Sequence, residues 1–202
     1  AGRAYVAGVV SMALRLRPAV RRDAAELAVI VDLSSHSFAT WLWLGATEAG
    51  EADTAMEFGR SWLADDDQLG GWRDAVIAEA DDDIAGAAIG YALEEDILAV
   101  VPAQEALVPL VDLQRPLAGH WFIDSVGVYR RHRRKGVARR LVESEIGRAA
   151  GRPVSLITES YNEAARSLYE SLGFSEAARR DALPLHPESA RHQWVLMTRS
   201  AV

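Results

Sequence analysis

Hydrophobic residues recur along this chain in blocks, and their spacing changes from one block to the next. In "ALRLRPAV" apolar and polar positions alternate until Pro18, as in a short strand. Asp23 then stands where a helix cap belongs, ahead of "AAELAVIVDL". A second helix is predicted over "TEAGEADTAMEFGRSWLAD", interrupted by two glycines. "DAVIAEA" and "IAGAAIGYAL" flank the acidic turn "DDD" as a β-hairpin. Further on, "VPAQEALVPLVDLQR" sets Leu107, Leu110, Val111 and Gln114 at helical spacing. "HWFIDSVGV" is an apolar run of strand length, the pattern of a strand buried on both faces.

The C-terminal half is more regular. In "GVARRLVESEIGRAAG" Val137, Ala138, Leu141, Val142, Ile146 and Ala149 share one broad helical face, and Gly151 ends it. "PVSLITES" reads as a strand. "NEAARSLYESLGF" is a helix with Ala165, Leu168, Tyr169 and Leu172 on one face. "FSEAARRDA" and "RHQWVLMTR" are final strands joined by the loop "LPLHPES". The order β-α-α-β-β-α-β-α-β-α-β-β predicts an α/β fold, a single domain over residues 1–202 with one mixed sheet.

Composition narrows the function. Half of the 202 residues are hydrophobic and a quarter charged, as in an ordinary globular domain. With no cysteine there is no disulfide framework, thiol nucleophile or thiolate metal site. His36, His120, His132, His186 and His192 show no metal-ligand spacing, so no metal is expected. No apolar stretch of about twenty residues occurs, and no membrane partner is expected. The start "AGRAYVAGVVSMAL" is only faintly like a signal peptide. Residues 1–11 read as a flexible or non-native extension ahead of a natural start at Met12.

Charge is distributed unevenly. The chain carries −7, yet Arg130–Arg140 holds seven Lys or Arg and no acid. The remainder therefore bears twice the net negative charge of the whole. Such a surface is a poor nucleic-acid binder, because phosphate contacts dominate that affinity. The cations cluster where "RRKGVA", Arg133–Ala138, opens a helix after a strand. Free N–H groups at a helix start attract anions, and a glycine lets backbone approach them closely. The spacing fits neither G-x-x-x-x-G-K-[ST] nor G-x-G-x-x-G.

It does fit R-x-x-G-x-A after V-x-V, at Arg133, Gly136 and Ala138. This resembles the acetyl-CoA-binding motif of the GNAT family of N-acetyltransferases, Q/R-x-x-G-x-G/A. The later segment is similar to the family's N-x-x-A-x-x-x-Y-x-x-x-G-F at Asn162, Ala165, Tyr169, Gly173 and Phe174. The opening "RLRPAVRRDAAEL" resembles the family's first strand and helix, so the likeness spans about Leu14 to Arg199. Tyr129 departs from the Pro that many members carry after V-x-V. The segment before "HWFIDSV" is longer than a minimal member needs, and it is expected to shape or cover the substrate site.

The resemblance implies the GNAT fold: one mixed, mostly antiparallel sheet flanked by helices, with splayed central strands. It implies acetyl-CoA as donor and an amine as acceptor. The pyrophosphate of coenzyme A is expected on Arg134, Lys135, Gly136, Val137 and Ala138, helped by Arg133 and Arg139. The pantetheine arm is expected beside Val126, Gly127 and Val128, with Asn162 as a further cofactor contact or a plain helix cap. Tyr169 is the expected acid toward the leaving thiolate, against the alternative of a core tyrosine. Asp124 interrupts an apolar strand, and alternation puts it on a face with Phe122, Val126 and Val128. It is expected either as the base or as the partner of an Arg. Glu159 is the fallback base, and His120 is expected at the surface. Trp41 and Trp43 are expected either to line an aromatic acceptor pocket or to be core. The resemblance further implies a cytoplasmic enzyme and a homodimer. A small amine is the favoured acceptor; a protein N-terminus or lysine, or a non-catalytic acyl-CoA-binding role, are the alternatives.

Overall fold

A computed structural model describes residues 13–186 and 188–201. The extension at residues 1–11 lies outside them. The elements are β1 (Leu14–Pro18), α1 (Ala24–Ser34), α2 (Phe38–Glu48), α3 (Ala55–Leu63), β2 (Ala75–Ala80) and β3 (Asp83–Ala92). Then come α4 (Val108–Gln114), β4 (Trp121–Val128), α5 (Val137–Arg148), β5 (Val154–Glu159), α6 (Glu163–Ser171), β6 (Ser175–Asp181) and β7 (Gln193–Arg199). The strands form one sheet in the order β1-β2-β3-β4-β5-β7-β6. Only β4 and β5 run parallel; every other neighbouring pair is antiparallel. Among the described residues no single helix is long and apolar enough to cross a membrane.

The strands follow the sequence pattern closely, but the first helices do not. Three helices stand where two are expected. The break after α1 is made by "SSHS", with His36 and Ser37 at φ 50° and 70°. Side chains from α1 and this turn cap α2. Ser35 Oγ accepts from Ala39 N at 3.0 Å, and Asp32 Oδ1 accepts from Thr40 N at 3.0 Å. The expected helix over residues 47–65 is cut because the chain turns at Gly50 (φ 77°), and Thr54 Oγ1 caps a new start by accepting from Glu57 N at 3.1 Å. The hairpin turn is the two residues Asp81 and Asp82, both at positive φ, a geometry that matches strand twist.

The sheet is covered on both faces. Helices α1, α2 and α3 bury Leu27, Ile30, Trp43 and Leu63 against Ile77, Ala87 and Ile89. On the other face α5 sets Val137, Leu141 and Val142 against Val126, Val128 and Ile123. Each fully buried aliphatic side chain of this kind contributes roughly 1.5–3 kcal/mol. The approach of α1 to β4 depends on Gly127. A Cβ there would lie 2.5 Å from Ile30 Cγ2 and 2.7 Å from the Ile30 carbonyl oxygen.

A buried polar cluster pins the start of β4 to α5. Glu145 is fully buried. It accepts from Trp121 Nε1 at 3.0 Å and pairs with Arg148 at 2.8 Å. Arg148 also donates to the Asp74 carbonyl at 2.8 Å, and its guanidinium lies over the Trp121 ring. Burial raises the Glu145 carboxyl above its ordinary range, against the pull of Arg148.

Gly127→Ala should therefore destabilise the fold by about 1–3 kcal/mol, since a backbone carbonyl cannot yield as a flexible side chain can. Denaturant unfolding checks this: the midpoint should fall with an unchanged slope.

Candidate active site

The motif loop lies between β4 and α5. Gly136 sits at the N-cap of α5 with φ 82°, and nothing lies within 4 Å of where its Cβ would be. Arg134 is also at positive φ, 62°. The first α5 amide with a backbone partner is Arg140, donating to Gly136 O at 3.1 Å. Among the described residues the amides from Arg134 to Arg139 have no acceptor. Arg133 Nε donates to the Val128 carbonyl at 3.0 Å, which ties the loop back to the end of β4. Arg131 is held by Asp83, and Arg139 donates to Ser171 Oγ at 2.7 Å. Arg130, Arg134, Lys135 and Arg140 are exposed and form no ion pair among the described residues. A row of free amides, an open glycine and unpaired cations suits a pyrophosphate. The loop from Arg134 to Ala138 thus fits the pyrophosphate of coenzyme A expected there.

Beyond this loop the sheet opens. The parallel pairing of β4 and β5 covers only Trp121, Phe122 and Ile123 against Val154, Ser155 and Leu156. From Asp124 onward the β5-facing edge of β4 has no strand partner. On its other edge β4 pairs with β3, but the register jumps: Ile89 faces Ser125, whereas Gly90 faces Ile123. Asp124 is the extra, bulged residue. The bulge corrects the simple alternation. Val126 and Val128 turn to the α5 face with Ile123, while Phe122 packs with Leu113 and Leu117 on the opposite face. Asp124 stays on the Phe122 side, without the two valines.

A cavity of about 390 Å³ fills the gap between the splayed strands. That volume is near the lower end of the roughly 300–1,000 Å³ common for small-molecule sites. Asp124 is exposed, and the cavity is what it faces. Among the described residues no arginine pairs with it: Tyr91 Oη donates to Oδ1 at 3.2 Å and Ser125 Oγ to Oδ2 at 3.0 Å. Desolvation by the surrounding protein raises its carboxyl above the ordinary range, with these two hydrogen bonds opposing.

Tyr169 lines the same cavity from α6 and is buried. Burial first, then the charge of Glu159, pushes its hydroxyl up to about 12. Asn162 caps α6, its Oδ1 accepting from Ala165 N at 3.3 Å, and also borders the cavity. Of the two expected roles of Asn162, the helix cap is the one formed here. Trp43 borders the cavity but is 7% exposed and packed into the α1–α3 core, its ring lying against Gly59. Trp41 does not line the cavity; it stacks on Phe38 at 6.1 Å. The roof is the insertion: Leu107, Leu110, Val111 and Gln114, the helical face read from sequence, all line the cavity. Gln104 Nε2 anchors that segment to the Leu42 carbonyl at 3.4 Å. His120 is only partly buried, but burial lowers its pKa and its Nδ1 is sealed without a partner among the described residues.

Sequence reasoning missed His36. Its Nδ1 lies 2.9 Å from Oε1 of the buried Glu159. The pair is 123 positions apart, so no local spacing could signal it. The only available sign was a histidine in the tight "SSHS" turn, a place where a non-glycine residue at positive φ marks a constrained site. Among the described residues no cluster of His, Asp and Glu could hold a metal ion.

A model of the acetyltransferase (GNAT) family matches residues 36–174. No curated protein matches the chain in sequence. Among solved structures, an N-acetyltransferase from Staphylococcus aureus Mu50 is similar, with a TM-score of 0.63 and 18% identity over 91% of this chain and 99% of that one. The Salmonella typhimurium protein yncA, solved with its cofactor acetyl-CoA, gives a TM-score of 0.61 at 18% identity, covering 93% and 94%. The ribosomal-protein-S18-alanine N-acetyltransferase from Escherichia coli gives 0.58 at 18% identity, covering 94% and 96%. At such identities these likenesses speak for the fold alone.

The double variant Arg134→Ala/Lys135→Ala should keep its thermal stability, since both side chains are exposed and unpaired. Calorimetric titration with acetyl-CoA should show affinity weakened roughly ten- to hundredfold, the scale of two charge-assisted hydrogen bonds. The remaining binding should also depend less on salt.

Proposed function

The chain belongs to the GNAT family of acetyltransferases, whose donor is acetyl-CoA, and on that premise we propose that it acetylates a primary amine of a small acceptor directly. One observation carries the reading: Asp124 from β4 and Tyr169 from α6 meet in a single cavity, opened by the splayed strands and roofed by α4. The roof favours a small molecule over a folded protein surface. The lack of any cysteine favours direct transfer over a thioester acyl-enzyme.

Acetyl-CoA supplies the activated acetyl group as a thioester. The protein's part is to make the acceptor nucleophilic and the sulfur a good leaving group. A primary amine with a pKa near ~10.4 is mostly protonated at neutral pH and has no lone pair to donate. Asp124, with its raised carboxyl, is suited to accept that proton. The unpaired edge of β4 offers backbone N–H groups near Val128 for the developing oxyanion. Tyr169 remains protonated through the neutral range and can give its proton to the departing thiolate. The net exchange is a C–S bond for a C–N bond: the ammonium gives its first proton to Asp124 before attack, Tyr169 protonates the departing thiolate, and the second nitrogen proton, lost after attack, restores the Tyr169 hydroxyl.

A thiol-reactive dye tests the reading with no background from the protein, which has no cysteine. Acetyl-CoA and a panel of small amines should give amine-dependent thiol release. Tyr169→Phe should lower kcat by about 10²–10⁴-fold. Asp124 must be ionised to act, so wild-type activity should fall as pH drops through its raised pKa. Asp124→Asn should abolish most of the rate and remove that acidic limb. Unchanged kcat in both variants would exclude these residues from the chemistry.

A further inference from the structure

The charges that line the cavity are all of one sign. Asp124 and Glu159 are its two ionisable acids, and among the described residues no Lys or Arg lines it. The unpaired cations Arg130, Arg134, Lys135 and Arg140 around the start of α5 stand outside the cavity. The remaining walls are largely apolar, with the rings of Phe38, Trp43, Phe122 and Trp194 among them.

Glu159 also borders a second, smaller cavity of about 70 Å³, lined in part by His36, Tyr161, His192 and Trp194. Rings crowd this junction: His192 lies 5.1 Å from Trp194, and Phe38 lies 5.6 Å from it. His36 fixes Oε1 of Glu159. Oε2 has no hydrogen-bond partner among the described residues and keeps some accessible surface. A carboxylate oxygen left free among aromatic rings is a receptor for an ammonium group, which gains from both the charge and the ring faces. An anionic group brought to the same place would be repelled by the two acids or would force one to take a proton, and either costs affinity.

We infer that the acceptor is a cationic amine on an apolar or aromatic body, without a carboxylate or phosphate of its own, and that Glu159 reads its ammonium group. This rests on the transferase reading above and adds the substrate class to it. Free amino acids and other anionic amines are excluded by the charge of the cavity, and their decarboxylated counterparts are accepted.

Matched pairs differing only in the carboxylate test it: phenethylamine against phenylalanine, and tryptamine against tryptophan, with acetyl-CoA and the intact protein. The amine of each pair should have a kcat/KM at least ~tenfold above its amino acid, the scale expected when like charges are forced together in a partly buried site. In Glu159→Gln the KM for the amine should rise and the gap within each pair should narrow several-fold. Equal or better turnover of the amino acids by the wild-type protein would overturn the inference, and that comparison needs no variant to fold. Turnover of neither member of either pair, with acetyl-CoA binding intact by calorimetry, would also overturn it while leaving the transferase reading in place. Failure to bind acetyl-CoA at all would sink both.

Discussion

The site depends on a hydrogen-bond ladder that stops. β4 and β5 pair over three residues and then part. A parallel pair that separates leaves backbone donors and acceptors without strand partners, which is costly unless something else satisfies them. The protein holds the strands apart from several sides. Trp121, Glu145 and Arg148 fix the start of β4 to α5. Gly127 lets α1 press directly on its far end, and the bulge at Asp124 redirects the chain between these two points. The gap that results supplies room, an unpaired backbone edge and the one polar side chain of that strand that faces the cavity with a raised pKa.

The two ends of this opening have opposite electrostatics. At one end, free amides and unpaired cations surround the N-terminus of α5, suited to a polyanion. At the other, Asp124 and Glu159 sit among rings and aliphatic side chains. A long polyanionic donor and a cationic acceptor would thus approach from regions that each attract only one of them. The concentration of seven cations in eleven residues of an acidic chain has the same logic: charge of each sign is kept where a partner of the opposite sign is proposed to bind.

Much of this is legible in the sequence because it rests on local rules. Strand alternation, helix faces and the glycine at the start of α5 depend on residues a few positions apart. The cavity roof is an instance: the helical spacing of Leu107, Leu110, Val111 and Gln114 identified the face that lines the site. The α2 helix was harder. Its start is capped by Ser35 and Asp32 from the preceding segment, and its apolar residues run nearly all round, so no stripe announces it.

The sequence alone determined the order of the strands and of the later helices, and the basic loop with its glycine at a helix start; the family resemblance added the tyrosine, and an acid in an apolar strand the aspartate, that line the cavity. These follow from periodicity, caps and motif spacing, which are properties of neighbouring residues. Tertiary structure decided the rest. The bulge at Asp124 exists only because β4 must match the register of β3, and it alone sends Val126 and Val128 to the face opposite Phe122. Whether Trp41 or Trp43 borders the cavity was fixed by how α2 docks beside α3. The His36–Glu159 pair joins a helix turn to a strand end 123 residues away, a contact made by packing and written in no local pattern.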